Sequence, residues 1–175
     1  MHITETPTAT HALIQYRTYG QDMILLSVGP EALMLAAHEA CVEGNAERGL
    51  FYSVREIGHD MTRQAAAATA AQLSARQREV LLALAVATKP GASIKPGSRK
   101  TSSPDPARWG RAWVLVVGPG RSLYTGDMVA PARKLAARNL VRIDGLDYAP
   151  KSYTVTPVGR EVARAVLALE NQVSA

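Results

Sequence analysis

Alternation of apolar and polar positions dominates the first third of the chain. In "HALIQYRTYGQDMILLSVG" two extended runs, residues 12–17 and 23–28, flank a polar turn holding Gly20, which predicts a β-hairpin. "GPEALMLAAHEACVEG" then switches to good helix formers, with Pro30 suited to a first turn and Gly44 expected just beyond the helix end. "GLFYSV" reads as a third strand and "HDMTRQAAAATAAQL" as a helix. The alanine run at 65–68 has high helix propensity and little to bury, so this helix is either a connector or a close helix-packing face.

The next segments carry stronger local signals. "LSARQREVLLALAVA" predicts an amphipathic helix, with Ser74 as N-cap, Gln77 as its capping-box partner, and Leu73, Val80, Leu81, Leu84 and Val86 at near-helical spacing. "TKPGASIKPGSRKTSSPDPARWG" is rich in Pro, Gly, Ser and basic residues, the composition of a long disordered loop, expected over residues 89–108. "RAWVLVVG" follows as a buried strand and "PGRSLYTGD" as a turn region. In residues 128–140, Met128, Ala132, Leu135 and Leu140 fall on one helix face, while Arg133, Lys134 and Arg138 fall largely elsewhere. Pro131 belongs in a helix's first turn, so this helix should start near Ala130 and be short. Asn139 suits the left-handed conformation that ends helices. "LVRI" and "YTV" then flank the turn-rich "DGLDYAPKS", a second hairpin, before Thr156 caps and Pro157 opens a last helix with Val158, Val162, Val166 and Leu169 on one stripe.

Composition adds bounds. A chain of 175 residues with 47% hydrophobic content holds one ordinary domain or two small ones with a real core. One cysteine, Cys41, excludes an internal disulfide framework. No stretch approaches the roughly 20 apolar residues of a membrane span, and "MHITETPTAT" lacks the basic and then apolar pattern of a signal peptide. The expected location is cytoplasmic, with no membrane partner. Charge is unevenly spread: residues 1–88 hold 6 Lys/Arg against 9 Asp/Glu, residues 89–151 hold 12 against 4, and residues 152–175 hold 2 against 2. Such a local cationic excess is either a solvated basic loop or an attractor of a polyanion, whose counterions are released on contact.

The order helix, strand, wing, strand, helix resembles the winged helix-turn-helix of bacterial regulators, particularly the MarR and PadR kinds. "LSARQREVLLALA" is similar to their opening core helix, "MVAPARKLAARNLVRI" to the recognition helix and first wing strand, and "YTVTPVGREVA" to the wing's return through "LTPxGRxxA". The resemblance covers about residues 73–168, with Asn139 where the family has glycine. It implies an α+β fold, a winged helix-turn-helix domain of three or more helices plus a β-hairpin wing, preceded by a small α+β N-terminal unit. The expected layout is the N-terminal unit at 1–60, a connecting helix at 61–72, and the winged domain at 73–175. It further implies binding of double-stranded DNA, as a dimeric regulator or an accessory factor of a mobile element, with a protein-binding module as the alternative.

On that reading the helix at 128–139 enters the major groove and the wing near Lys151 touches the backbone. Arg133, Lys134 and Arg138 would reach phosphates or guanine edges, and Arg142, Lys151 and Ser152 would meet phosphates, with Arg121 and Thr125 also on the DNA side. Val129, Ala130 and Pro131 offer no hydrogen bonds to base edges, which shifts expected specificity to the basic loop, where Lys95, Arg99 and Lys100 could enter a narrow minor groove. The N-terminal unit, with its acidic balance, is the expected place for a protein partner or a homodimer contact; the C-terminal stripe is the other dimer surface or else core.

Enzyme chemistry has little basis in the sequence, and no cofactor is expected. His38 and Cys41 stand three apart with His59 downstream, but such residues on helices more often pack or solvate than bind metal. Cys41 has no neighbourhood of an activated nucleophile. "GPGR" lacks the Gly-Lys-Ser/Thr that completes a phosphate loop, and a tight turn explains it. Glu39, Glu43 and Glu47 recur every four residues and most simply form a solvated acidic face.

Overall fold

A computed structural model describes residues 8–17, 22–45, 49–87, 93–94, 98–99, 112–116, 122–124, 129–146 and 149–173. The expected hairpin is present as β1 (His11–Tyr16) and β2 (Ile24–Gly29), with a register shift between Leu13 and Ile14. Helix α1 (Glu31–Asn45) crosses to β3 (Phe51–Glu56), giving a three-stranded sheet of order β2-β1-β3 with β3 antiparallel to β1. Gly44 does not end α1, which runs on to Asn45, whose side-chain amide donates to the Cys41 carbonyl at 3.1 Å.

Strand alternation sorts this sheet into two faces. Ala12, Ile14, Leu25 and Val28 join the main core, whereas Leu13 and, from α1, Met34 are buried apart from it, on the side of the sheet that α1 covers. Helix side chains also engage the backbone of the outer strands. The Leu25 N–H donates to Thr69 Oγ1 at 3.1 Å, His38 Nε2 donates to the Tyr52 carbonyl at 3.3 Å, and Thr62 Oγ1 donates to the Glu56 carbonyl at 2.8 Å. Groups bonded in this way do not template a further strand.

Helix α2 (Asp60–Ala71) resolves the question of its alanines. Thr62, Ala65, Ala66, Thr69 and Ala70 are buried against the sheet and the last helix, so small side chains serve close packing. The N-cap is His59, whose Nδ1 accepts from the Met61 N–H. Helix α3 (Ala75–Ala87) starts on the expected capping box: the Gln77 N–H donates to Ser74 Oγ at 3.3 Å and the Ser74 N–H to Gln77 Oε1 at 2.8 Å. Its second half is not amphipathic. Residues 80–85 are all buried, because the helices Val129–Ala136 and Pro157–Val173 and the strand Ala149–Val155 surround it.

In the middle of the chain the structure holds short strands that the sequence did not predict. The loop expected to be disordered at 89–108 contains β4 (Ser93–Ile94) and β5 (Ser98–Arg99), and the expected turn region contains β7 (Ser122–Tyr124). With β6 (Ala112–Val116), the strand read in "RAWVLVVG", β5 and β7 form a sheet of order β5-β6-β7.

Helix α4 (Val129–Ala136) is followed by the second hairpin, β8 (Val141–Leu146) and β9 (Ala149–Val155), and by α5 (Pro157–Val173). Strand β4 adds to β9, making a sheet of order β4-β9-β8. Val158, Val162 and Val166 of α5 lie in the same core cluster as Ala12, Leu81 and Leu135, with Leu169 packed against it. The C-terminal stripe is therefore internal, and the N-terminal sheet shares one core with the rest. Among the described residues no helix is long and apolar enough to cross a membrane.

The α4–α5 junction explains the "TPVGR" segment. Asn139 takes φ +57°, its N–H donates to the Ala136 carbonyl at 2.9 Å, and the Leu140 N–H donates to the Leu135 carbonyl at 3.0 Å, which closes α4 as a Schellman motif. Thr156 Oγ1 donates to the Asn139 carbonyl at 2.6 Å and accepts the Gly159 N–H at 3.0 Å, so one hydroxyl closes α4 and caps α5. Gly159 sits so close to the same turn that a Cβ there would lie 1.9 Å from the Leu140 carbonyl oxygen. Arg160 is fully buried and donates to the Ala85 carbonyl at 3.3 Å, at the C-terminal end of α3 where the helix dipole is negative.

Candidate nucleic-acid interface

Packing of α4 decides which of its side chains reach solvent. Ala132 and Leu135 are fully buried and fix the helix on the core, so Arg133 and Lys134 project from the opposite side and are exposed; Arg138, in the turn after the helix, is exposed as well. The helix begins at Val129 and is eight residues long. Pro131 is its third residue, in the first turn, where backbone N–H groups have no intrahelical acceptor, so the proline costs no hydrogen bond. Its last turn carries Arg133 and Lys134, whose charge opposes the negative end of the helix dipole.

Arg142 extends this surface onto β8. Its side chain is 69% exposed and pairs with Asp144 at 3.4 Å. Ser152 behaves differently from the sequence expectation. It is buried, and its hydroxyl donates to Asp144 Oδ2 at 2.8 Å across the hairpin, where cross-strand pairing puts the two side by side. It orients the partner of Arg142 and does not itself face a phosphate. Lys151 lies within β9 and not at the tip of a turn, because the hairpin strands run much further than "LVRI" and "YTV" suggested. Arg99 lies in β5. Arg121, Thr125, Lys95 and Lys100 fall outside the described residues.

Behind α4 the electrostatics depend on burial. Tyr153 is buried, which pushes its phenol pKa up; nearby Arg133 opposes that in part. Arg160 is pulled down by burial and, to a lesser degree, by Arg164. Sequence reading missed Arg160 as a buried group, since an arginine in a helix's first turn is ordinarily solvated. The available signal was its place in the helix beside the Val158, Val162, Val166 stripe.

An open cleft of ≈ 730 Å³ adjoins the cationic surface, between Ser27 and Val28 of β2 and the α4–β8 turn, with Arg133 and Arg142 on its wall. The N-terminal unit presents a different kind of surface. Leu33, Leu35 and Val42 of α1 and Phe51 of β3 are the exposed large hydrophobic side chains among the described residues. Glu39 and Glu43 are exposed on the same helix, so its outer face is mixed and not purely acidic. His38 and His59 are occupied in hydrogen bonds that hold α1 and α2, Cys41 is half-buried, and no group of metal-binding side chains forms among the described residues.

Compared with known proteins, the chain matches no family model, no curated protein and no solved structure.

Proposed function

We propose that the chain is a winged-helix protein that binds double-stranded DNA through α4 and the β8–β9 hairpin. The observation that carries this reading is the cationic outer face of α4: Arg133 and Lys134 exposed on a helix anchored by Ala132 and Leu135, with Arg138 in the turn that closes it and Arg142 on β8 continuing the surface. Support also comes from the run α4, β8, β9, α5, in which α4 directly precedes the hairpin, and from the pairing of β4, the first strand after α3, with β9. Phosphate contacts dominate this interface, because Val129, Ala130 and Pro131 bring no base-reading groups to the start of α4.

Fluorescence anisotropy with labelled duplex tests it. Affinity should fall steeply with salt, and Arg133→Ala with Lys134→Ala should weaken binding to all sequences and reduce the salt slope by about 2, one per lost phosphate contact. Unchanged binding by the double variant would remove α4 from the interface.

The exposed apolar side chains of α1 and β3 favour a protein contact on the N-terminal unit, and a homodimer through α1 would supply the second half-site that a single short helix lacks. Leu35→Glu with Val42→Glu should then give monomers by light scattering without loss of fold. A native protein that is monomeric at DNA-binding concentrations would refute the dimer.

A further inference from the structure

Strand β8 stands at the edge of its sheet, last in the order β4-β9-β8. Leu140 and Thr156 extend the pairing of Val141 with Val155 by one step, and the Thr156 N–H donates to the Leu140 carbonyl at 3.2 Å. Bonded pairs alternate along an antiparallel ladder, so Arg142 exchanges bonds with Thr154 while the N–H and C=O groups of Val141 and Ile143 point away from β9. Among the described residues no hydrogen-bond partner meets these groups. The edges of the N-terminal sheet are treated differently: the Leu25 N–H of β2 and the Tyr52 and Glu56 carbonyls of β3 are taken up by helix side chains, which blunts an edge. The open stretch of β8 is short, because its register shifts after Asp144.

Val141 and Ile143 both line the ≈ 730 Å³ cleft, with Ser27 and Val28 of β2 across it and Pro157 and Val158 of α5 beside them. An extended residue in a packed sheet takes up about 160 Å³, from the rise along the strand, the spacing between strands and the distance between sheets, so the cleft holds roughly four to five such residues. N–H and C=O groups recurring at the strand repeat are matched by another extended backbone, with alternate side chains reading the walls. A second copy of β8 would bring its own β9 alongside, about 4.8 Å further on, toward the wall that Ser27 and Val28 already form. A lone extended segment needs no such room.

We propose that this cleft takes an extended peptide segment of a partner protein, which adds to β8 as a further strand through the backbone of Val141 and Ile143 and sets alternate apolar side chains against Val28, Pro157 and Val158. The site does not rest on the DNA-binding reading.

A phage-displayed library of random short peptides, panned on the full chain, supplies the probe. Enriched sequences should alternate apolar residues and lack proline at their centre, and a labelled copy should bind saturably by fluorescence anisotropy. Ile143→Pro removes one outward N–H at the kind of edge position where proline is tolerated, since that N–H makes no bond to β9; it should weaken the peptide about tenfold. Ile143→Val keeps the N–H and should cost about fourfold at most, the worth of one methylene. An N-methyl scan of the peptide on the native protein reads the same geometry without touching the fold: losses of about tenfold should recur at every second residue. Bound peptide should also slow hydrogen exchange of the Val141 and Ile143 amides. No peptide enriched over a bare surface, or binding indifferent to both Ile143→Pro and N-methylation, overturns the proposal. A native dimer that Ile143→Pro converts to monomers, by light scattering, overturns it in favour of a second copy.

Discussion

Replacing Gly159 by alanine sets local propensity against tertiary contact. In the first turn of α5, alanine should favour the helix by about 1 kcal/mol over glycine, so the sequence alone predicts a stabilised protein. The structure predicts the opposite sign. The added Cβ would lie 1.9 Å from the Leu140 carbonyl oxygen, 2.9 Å from its carbon and 3.0 Å from Val155 Cγ1. Carbon and oxygen approach to about 3.3 Å at best, so α5 must move off the α4 turn by more than about 1 Å. That movement strains or breaks the 3.2 Å bond from the Thr156 N–H to the Leu140 carbonyl and the 2.6 Å bond from the Thr156 hydroxyl to the Asn139 carbonyl. Two bonds at a net of about 1 kcal/mol each and an overpacking cost of about 2 kcal/mol outweigh the helix gain, for a net loss of about 3 kcal/mol. In urea, with a slope of roughly 2 kcal/mol/M, the unfolding midpoint should fall by about 1.5 M. Gly49→Ala is the control: φ there is +62° with nothing within 4 Å of the new carbon, so only backbone strain of about 1–2 kcal/mol applies. A midpoint for Gly159→Ala at or above that of the native protein would refute the reasoning.

Further predictions concern caps, buried polar groups and pH. Ser74→Ala removes one half of the capping box at the start of α3 and should cost about 1 kcal/mol in chemical denaturation; no loss would mean that burial of α3 alone sets its start. Arg160→Ala leaves a void in the core and removes the donor to the Ala85 carbonyl, for an expected loss of about 3 kcal/mol; a melting temperature within a degree or so of native would refute the placement. Burial raises the Tyr153 pKa, so the unfolded chain loses this proton first. The resulting stability is complete below the unfolded value of about 10 and is lost as pH rises through the folded value. Tyr153→Phe should therefore flatten the alkaline limb of a denaturation-midpoint-versus-pH curve, with little change at neutral pH because the hydroxyl has no hydrogen-bond partner among the described residues.

Local chemistry alone specified much of the element sequence. Ser74 with Gln77, Thr156 with Pro157, and Asn139 at the end of α4 are signals carried within a few residues, and each is met by the expected bond or dihedral. The outward cations of α4 were legible for the same reason, since 3.6-residue periodicity puts Arg133 and Lys134 away from Ala132 and Leu135 once that pair is buried. What periodicity could not decide is which faces meet. Residues 80–85 carry no polar stripe to mark a surface, and only the surrounding helices and β9 explain burial on every side. The alanines of α2 gain their value from a partner far along the chain, as does Gly159, whose requirement is set by a carbonyl 19 positions earlier. The resemblance puts Ser152 among the phosphate contacts expected of the wing, whereas cross-strand pairing turns it toward Asp144. Caps and turns are short-range hydrogen bonds and are written locally, whereas burial, close approach and the cleft beside Arg133 depend on chain segments that only the folded structure brings together.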